Sequence, residues 1–210
     1  MYEIQNFDAV ENEFGIVIDD FLWNPRGVMH MLMTLDPVAH KRGVGYNGKY
    51  FKDMRHTLYS QDLIPVYRFL SKWSNQPPLC PTERRISTNV FRIKDDPFHT
   101  PDTHYWWPHF DQGWTAILYL NEQDDTGTNL YRSLDPEEEK TKDKTEEHYE
   151  PWRLKEKYEL IHTFEPKFNR LIMFDAEKHC HGQNIHSKSE FFRTNQARLN
   201  QVFFYNGKSN

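Results

Sequence analysis

The sequence predicts an α+β chain, mainly β, in which a sandwich or barrel of strands carries amino-terminal helices on one side. Two patterns predict it. Before residue 80 two segments carry the marks of helices, whereas from residue 86 the apolar residues fall at period two in short runs broken by turn signals. A third observation is compositional. Apolar residues make up only 37% of the chain but aromatics reach 15%, so a few large rings supply burial that many aliphatics otherwise would. At 210 residues the expectation is a single domain over 1–210, long enough for a real core.

"EFGIVIDDFLWNPRGVMHML" reads as a short strand and then a helix. Ile16, Val17 and Ile18 are β-branched and favour the strand. Asn24 followed by Pro25 has the form of an N-cap with proline in the first turn, where the missing N–H costs nothing. Residues 36 to 60 show scattered glycine and rings with little periodicity, and are expected to be loop. "SQDLIPVYRFLSKWSN" predicts a second helix starting near Pro65, with Leu63, Val66, Tyr67, Leu70 and Trp73 on one apolar face. The strand-like runs beyond it are "RISTNVFRI", "WTAILYLN", "GTNLYRS", "YELIHTFEP", "NRLIMFD" and "RLNQVFFYN".

Charge excludes one function class. The net charge is −5, and residues 135–150 alone hold eight acids and three lysines, which is also −5. The rest of the chain is formally neutral, so generic nucleic-acid binding, which needs a basic footprint, is not expected. The acidic window, extended to 135–156, reads as a solvated insertion. Two cysteines, Cys80 and Cys180, make neither a disulfide framework nor a Cys-based zinc site. The amino terminus has no basic start and no apolar core, and no apolar run reaches membrane-span length. A cytoplasmic protein without membrane contact is expected.

The stretch "WWPHFDQGW", residues 106–114, sets His109 and Asp111 two apart among rings. With 11 His and 31 acids, about one or two such pairs arise by chance, and His148-Tyr149-Glu150 is another. On a strand, however, residues 109 and 111 face one way. A carboxylate and an imidazole on an inner face need compensation, because an unpaired buried carboxylate is costly. A metal ion supplies it if a third ligand arrives. "RLIMFDAEKHCHGQNIH" offers His179, His181 and His186. Two His and one carboxylate that leave positions open are the arrangement of non-haem Fe(II) oxygenases.

Here the chain resembles the 2-oxoglutarate- and Fe(II)-dependent dioxygenases. The likeness lies in "PHFDQGWTAILYLN", the Gly-Thr-x-x-Tyr of "DDTGTNLY", "NRLIMFDAEKHCHG" and "RLNQVFFY", in the family's order. "IVIDDFLWNP" is similar to the lead-in of its prolyl-hydroxylase-like and phage-type members. The resemblance implies a double-stranded β-helix, or jelly roll. It implies Fe(II), 2-oxoglutarate and O₂ as cofactor and co-substrates. The implied reaction couples oxidative decarboxylation to succinate and CO₂ with hydroxylation of a substrate C–H bond, on a small molecule or a peptide side chain.

By the same resemblance His109, Asp111 and His181 are the iron ligands. His179 is the alternative, on the same face by period two, and His186 comes after both. The far carboxylate of 2-oxoglutarate needs a cation, and a guanidinium fits it in a bidentate way. Arg198 opens the last strand, with Arg193 as second choice because the gap from His181 is long. Tyr119 and Asn129 are candidate partners of the co-substrate, and Tyr119 equally fits as barrel filling. "DDPFHTPDTHYWWP" is either a lid or an aromatic plug, His99 and His104 within it are further possible ligands, and Cys180 reads as a small packing residue. Two other classes would share the strands: a cupin-like metal enzyme without 2-oxoglutarate, and a binding module that has lost its metal.

Overall fold

The computed structural model describes residues 1–35, 38–44, 50–59, 61–74, 87–93, 102–121, 127–137, 152–184 and 198–205; for 38–44, 50–59, 87–93, 152, 198 and 205 it describes the backbone alone. Among these residues the chain is mainly β, with two short helices and two antiparallel sheets.

The amino-terminal third adds strands to the larger sheet and packs two helices on one of its faces. Strands β1 (Val10–Asn12) and β2 (Gly15–Ile18) form a hairpin. Helix α1 (Pro25–Met33) begins as its sequence predicts, with the Asn24 side chain accepting from the Gly27 N–H at 2.9 Å. Helix α2 (Ile64–Leu70) has Pro65 in its first turn and buries Val66, Tyr67, Phe69 and Leu70. Both helices pack with Tyr2, Phe21 and Leu22 into one apolar cluster. No helix among the described residues is long and apolar enough to cross a membrane.

Residues 36 to 60, expected to be loop, instead carry β3 (Val38–Val44) and β4 (Tyr50–Tyr59), paired antiparallel at the edge of the sheet. Charged residues such as Lys41, Arg42, Lys52, Asp53 and Arg55 interrupt the apolar alternation, so the strand signal is weak. Their extended form comes from pairing: β4 pairs with β5 (Ser87–Ile93), which lies nearly thirty positions on. The remaining strands are β6 (His104–His109), β7 (Trp114–Tyr119), β8 (Thr128–Ser133), β9 (Trp152–Leu154), β10 (Tyr158–Phe164), β11 (Leu171–Asp175), β12 (Cys180–Gln183) and β13 (Arg198–Tyr205). β9 falls inside the window read as a solvated insertion. It pairs with β6, so the insertion's last residues belong to the sheet; residues 138–151 lie outside the described set.

The eight-stranded sheet runs β1-β2-β11-β7-β13-β5-β4-β3 and the five-stranded sheet β10-β8-β12-β6-β9. Side chains on the central strands of the larger sheet alternate between two cores. Ala116, Leu118, Leu171, Met173, Leu199 and Phe203 face the helices. Ile117, Tyr119, Ile172, Phe174 and Val202 face the smaller sheet, where Leu130 and Phe164 meet them. The second group lines the space between the sheets. Asn169 joins the two layers of the large-sheet core. It adopts φ 64°, its side chain accepts from the Leu22 N–H and donates to the Leu22 carbonyl, each at 2.9 Å, and its own carbonyl accepts from Phe21.

Candidate metal centre

His109 ends β6 and His181 is the second residue of β12; the two are register partners across the pair of strands. Asp111 sits in the turn after β6. Its N–H donates to the Ala176 carbonyl at 3.1 Å, while Gly113, at φ 71°, accepts from Ala176 and Glu177. The turn that leads into β7 is thus bound to the turn between β11 and β12. That second turn is built by Asp175, whose carboxylate accepts from the N–H groups of Glu177 and Lys178. Local side-chain capping of this kind is what Asp does best in a turn.

Three donor groups converge as a result. Nε2 of His109 and Nε2 of His181 each stand 3.4 Å from Oδ2 of Asp111, and the two rings are 4.4 Å apart. The ligand atoms all lie within 4.8 Å of one another. Charge-assisted hydrogen bonds are shorter, about 2.7–2.9 Å; the wider spacing suits atoms gathered round a common centre. His181 is buried, whereas about a quarter of each of the His109 and Asp111 side chains is exposed, so the group opens on one side.

The outer nitrogens settle the tautomers. Nδ1 of His109 lies 2.7 Å from the Trp107 carbonyl, and Nδ1 of His181 lies 3.2 Å from the His179 carbonyl. A carbonyl only accepts, so each Nδ1 carries a proton; each Nε2 faces Asp111, donating to it when the ring is an imidazolium and offering a lone pair when the ring is neutral. Burial drives the Asp111 carboxyl upward, but the attraction and hydrogen bonding of His109, and then of His181, outweigh it and hold the group well below the usual carboxylate range. Burial, then the nearby His109, pushes His181 down against the pull of Asp111. A neutral buried imidazole and an ionised carboxylate aimed at one point need a cation between them, either a proton or a metal. The donor set of two imidazoles and one carboxylate fits a divalent first-row ion.

The packing round the group is tight. The Phe174 ring meets His181 edge-on at 4.9 Å. Gly182 lies where β12 approaches β6 most closely; a Cβ there would stand 2.5 Å from the Trp106 carbonyl oxygen and 3.1 Å from that of Trp107. Cys180 faces the opposite side of the sheet and is fully buried with Tyr131 and Tyr158, which is a packing role.

The other sequence candidates divide. His179 precedes β12 and turns its ring toward Phe14 at 6.2 Å, away from the donor group. His104, at the far end of β6, pairs its Nδ1 with Thr103 at 2.9 Å. Tyr119 faces the space between the sheets and its hydroxyl meets Thr128 at 2.7 Å. Asn129 does not join it. Leu130 faces inward, so its neighbour faces out, and the Asn129 amide is engaged by Tyr131, Asn184 and Thr163. The backbone of Arg198 opens β13 opposite Ile93; its side chain, like Arg193, His186 and His99, lies outside the described residues. Sequence reasoning missed Trp107 as a partner of His109. The signal for it was Pro108, since proline within a strand belongs at an edge or a bulge.

Solved structures resemble this chain at low identity. A prolyl 4-hydroxylase from Phytophthora capsici has a TM-score of 0.53 at 13% identity, covering 91% of this chain and 58% of that one. This chain therefore spans little more than half of that protein's length. A Pseudomonas putida prolyl-4-hydroxylase gives 0.49 at 13% identity over 92% of this chain and 94% of its own. A 2-oxoglutarate-Fe(II) oxygenase family member from Burkholderia pseudomallei gives 0.48 at 11% identity, over 92% and 85%. At these identities the likeness to the first concerns the fold. No curated protein matches the chain. Residues 3–205 match the family of unknown function DUF6445, and the chain belongs to that family.

Proposed function

We propose that this chain is a non-haem Fe(II) oxygenase. It would couple oxidative decarboxylation of 2-oxoglutarate to succinate and CO₂ with hydroxylation of a C–H bond in a small molecule or peptide side chain. The observation that carries the reading is the convergence of His109, Asp111 and His181, with both Nδ1 protons committed to backbone carbonyls. Three donors on one side leave the other side of an ion open, which is what an oxygenase needs.

In this reading β5 to β13 form a double-stranded β-helix. The support is topological: β5, β7, β11 and β13 lie in the large sheet and β6, β8, β10 and β12 in the small one, and the chain changes sheet at each step from β5 to β8 and again from β10 to β13. His109, Asp111 and His181 would hold the iron. Arg198 would bind the far carboxylate of 2-oxoglutarate as a bidentate pair, with Tyr119 beside it. Position 198 is two residues before the buried Asn200 and four before Val202, on the face of β13 that the inter-sheet core occupies. Bound there, iron and the oxo acid would supply the activation of O₂ and the oxidation of the C–H bond. The chain's own part is to bind, orient and exclude water. Ile117, Leu130, Ile172, Phe174 and Val202 keep the space between the sheets apolar, which strengthens every polar contact within it. No side chain needs to act as a general base.

The test is an anaerobic titration of metal-free protein with Fe(II) and then 2-oxoglutarate. A weak visible charge-transfer band on adding the oxo acid supports the oxygenase. Iron binding without that band transfers the reading to a cupin-like metal enzyme, and absence of iron binding removes both.

A further inference from the structure

Among the described residues the least ordinary backbone lies beside the donor group. Trp107 has φ 50° in the middle of β6, a conformation that costs any bulky residue and that glycine adopts freely. Here β6 carries one residue more than its partner: Trp106 pairs with Gln183 and His109 with His181, so three steps on β6 match two on β12. This is a β-bulge, and a bulge re-aims the side chains next to it. Pro108 has no N–H to give to a ladder, and among the described residues β9 pairs with 104–106 and stops short of the bulge. On its near side Gly182 leaves room for the carbonyls of Trp106 and Trp107.

We propose that Trp107 is a positioning residue: its left-handed backbone turns its carbonyl onto Nδ1 of His109, fixes the tautomer of that ring, and so delivers Nε2 to the metal centre. The contact is 2.7 Å, shorter than the 3.2 Å bond that the unbulged His179 carbonyl gives His181. The indole lies beside the bulge, its centroid 6.2 Å from the Trp106 ring and 6.0 Å from the His109 ring, but the left-handed backbone of residue 107, not the ring, sets the carbonyl. Strain of this kind persists only where the surroundings over-determine it. The proposal deepens the metal reading of the same site, yet the tautomer it predicts exists without metal.

The experiment is long-range ¹H–¹⁵N correlation on metal-free protein labelled at histidine nitrogen, at a pH where the imidazoles are neutral, with a subsequent Co(II) titration. His109 should carry its proton on Nδ1 in the wild type and in Trp107→Gly, which permits the same φ. It should lose that preference when Trp107 is deleted, or in Trp107→Val, whose β-branched side chain resists φ above zero. His181 should keep Nδ1–H throughout, as the internal check that the strands remain paired. Co(II) affinity should fall by about 10- to 100-fold in the deletion and in Trp107→Val, the range for lost outer-shell partners, and stay within about threefold in Trp107→Gly. An unchanged His109 tautomer in the deletion and in Trp107→Val overturns the proposal, as does a Trp107→Gly that behaves like them. A wild type with the expected tautomers that binds no metal defeats the oxygenase reading while leaving this one standing.

Discussion

His109 and His181 face each other as register partners from two strands, and each directs its Nε2 to the same oxygen of Asp111 at 3.4 Å. Neither histidine could reach that oxygen if the β6–β12 pairing slipped by one residue, because a slip turns every side chain to the opposite face. The donor group is therefore a readout of strand register.

The first prediction tests that group directly. His109→Ala, Asp111→Ala and His181→Ala should each weaken Fe(II) binding by more than about 100-fold, beyond the loss typical of outer-shell changes, with cooperative unfolding retained. His179→Ala should bind as the wild type does, since its ring lies against Phe14. Anaerobic calorimetry decides it, and equal losses for His179→Ala and His181→Ala would undo the assignment.

Register can also be disturbed from the backbone. Gly182→Ala places a methyl group 2.5 Å from the Trp106 carbonyl oxygen. Forcing the strands apart should cost about 1–3 kcal/mol of stability, as overpacking does, and should reduce Fe(II) affinity with it. Thermal unfolding and metal titration of one sample check both. An unaltered melting temperature would mean that β12 is free to shift.

The co-substrate clamp makes a separate prediction. Arg198→Ala should raise the 2-oxoglutarate concentration needed for half of the charge-transfer band by about 10- to 100-fold, corresponding to a charged hydrogen bond of roughly 1.5–3 kcal/mol. Fe(II) binding alone should be unaffected. An unchanged requirement would move the clamp to another cation, Arg193 first.

Away from the site, Asn169 offers a pure stability test. Its amide serves both backbone groups of Leu22, so Asn169→Ala leaves a buried donor and a buried acceptor unpaired, at about 1–3 kcal/mol for each. Asn169→Gly should cost less, because φ 64° suits it. Denaturant unfolding ranks the two, and the reverse order would show that the backbone angle is incidental.

Acid should weaken the metal-free protein early. Burial lowers His181, and also His162, which stacks on Phe14 at 4.5 Å. Below about pH 6.5, the ordinary imidazole value, the unfolded chain takes up protons that the folded chain resists, so stability falls as pH falls. The depressed carboxylates Asp19 and Asp111 act only below about pH 4, outside this window. Melting temperatures between pH 7.5 and 5.5 should drop in the wild type and drop less in His162→Phe; a flat wild-type profile would remove the effect.

Much of this architecture was legible in the residues. Asn24 and Pro25 mark the start of α1 because capping is local. β7, β8, β10, β11 and β13 show in their alternation because each buries one face or both. β3 and β4 did not show, since their pairing with a distant strand outweighs a polar composition. Period two could not separate His179 from His181; the turn built by Asp175 does, by placing only His181 on β12. The outward face of Asn129 was readable from Leu130 beside it. The bulge at Trp107 runs against local preference twice, as a tryptophan at positive φ and as a residue before proline, which is ordinarily extended.

The alternation along β7, β11 and β13 separates two kinds of inheritance. Ile117, Ile172, Phe174 and Val202 pack in the core between the sheets, where Phe174 meets His181, while Leu118, Leu171, Met173 and Phe203 pack with the helices on the other face. Substitutions at the first set reach the surroundings of His181 through Phe174, whereas substitutions at the second act first on how the helices hold to the sheet. One sheet thus keeps the anchorage of its helices and the surroundings of the three converging polar side chains on separate faces.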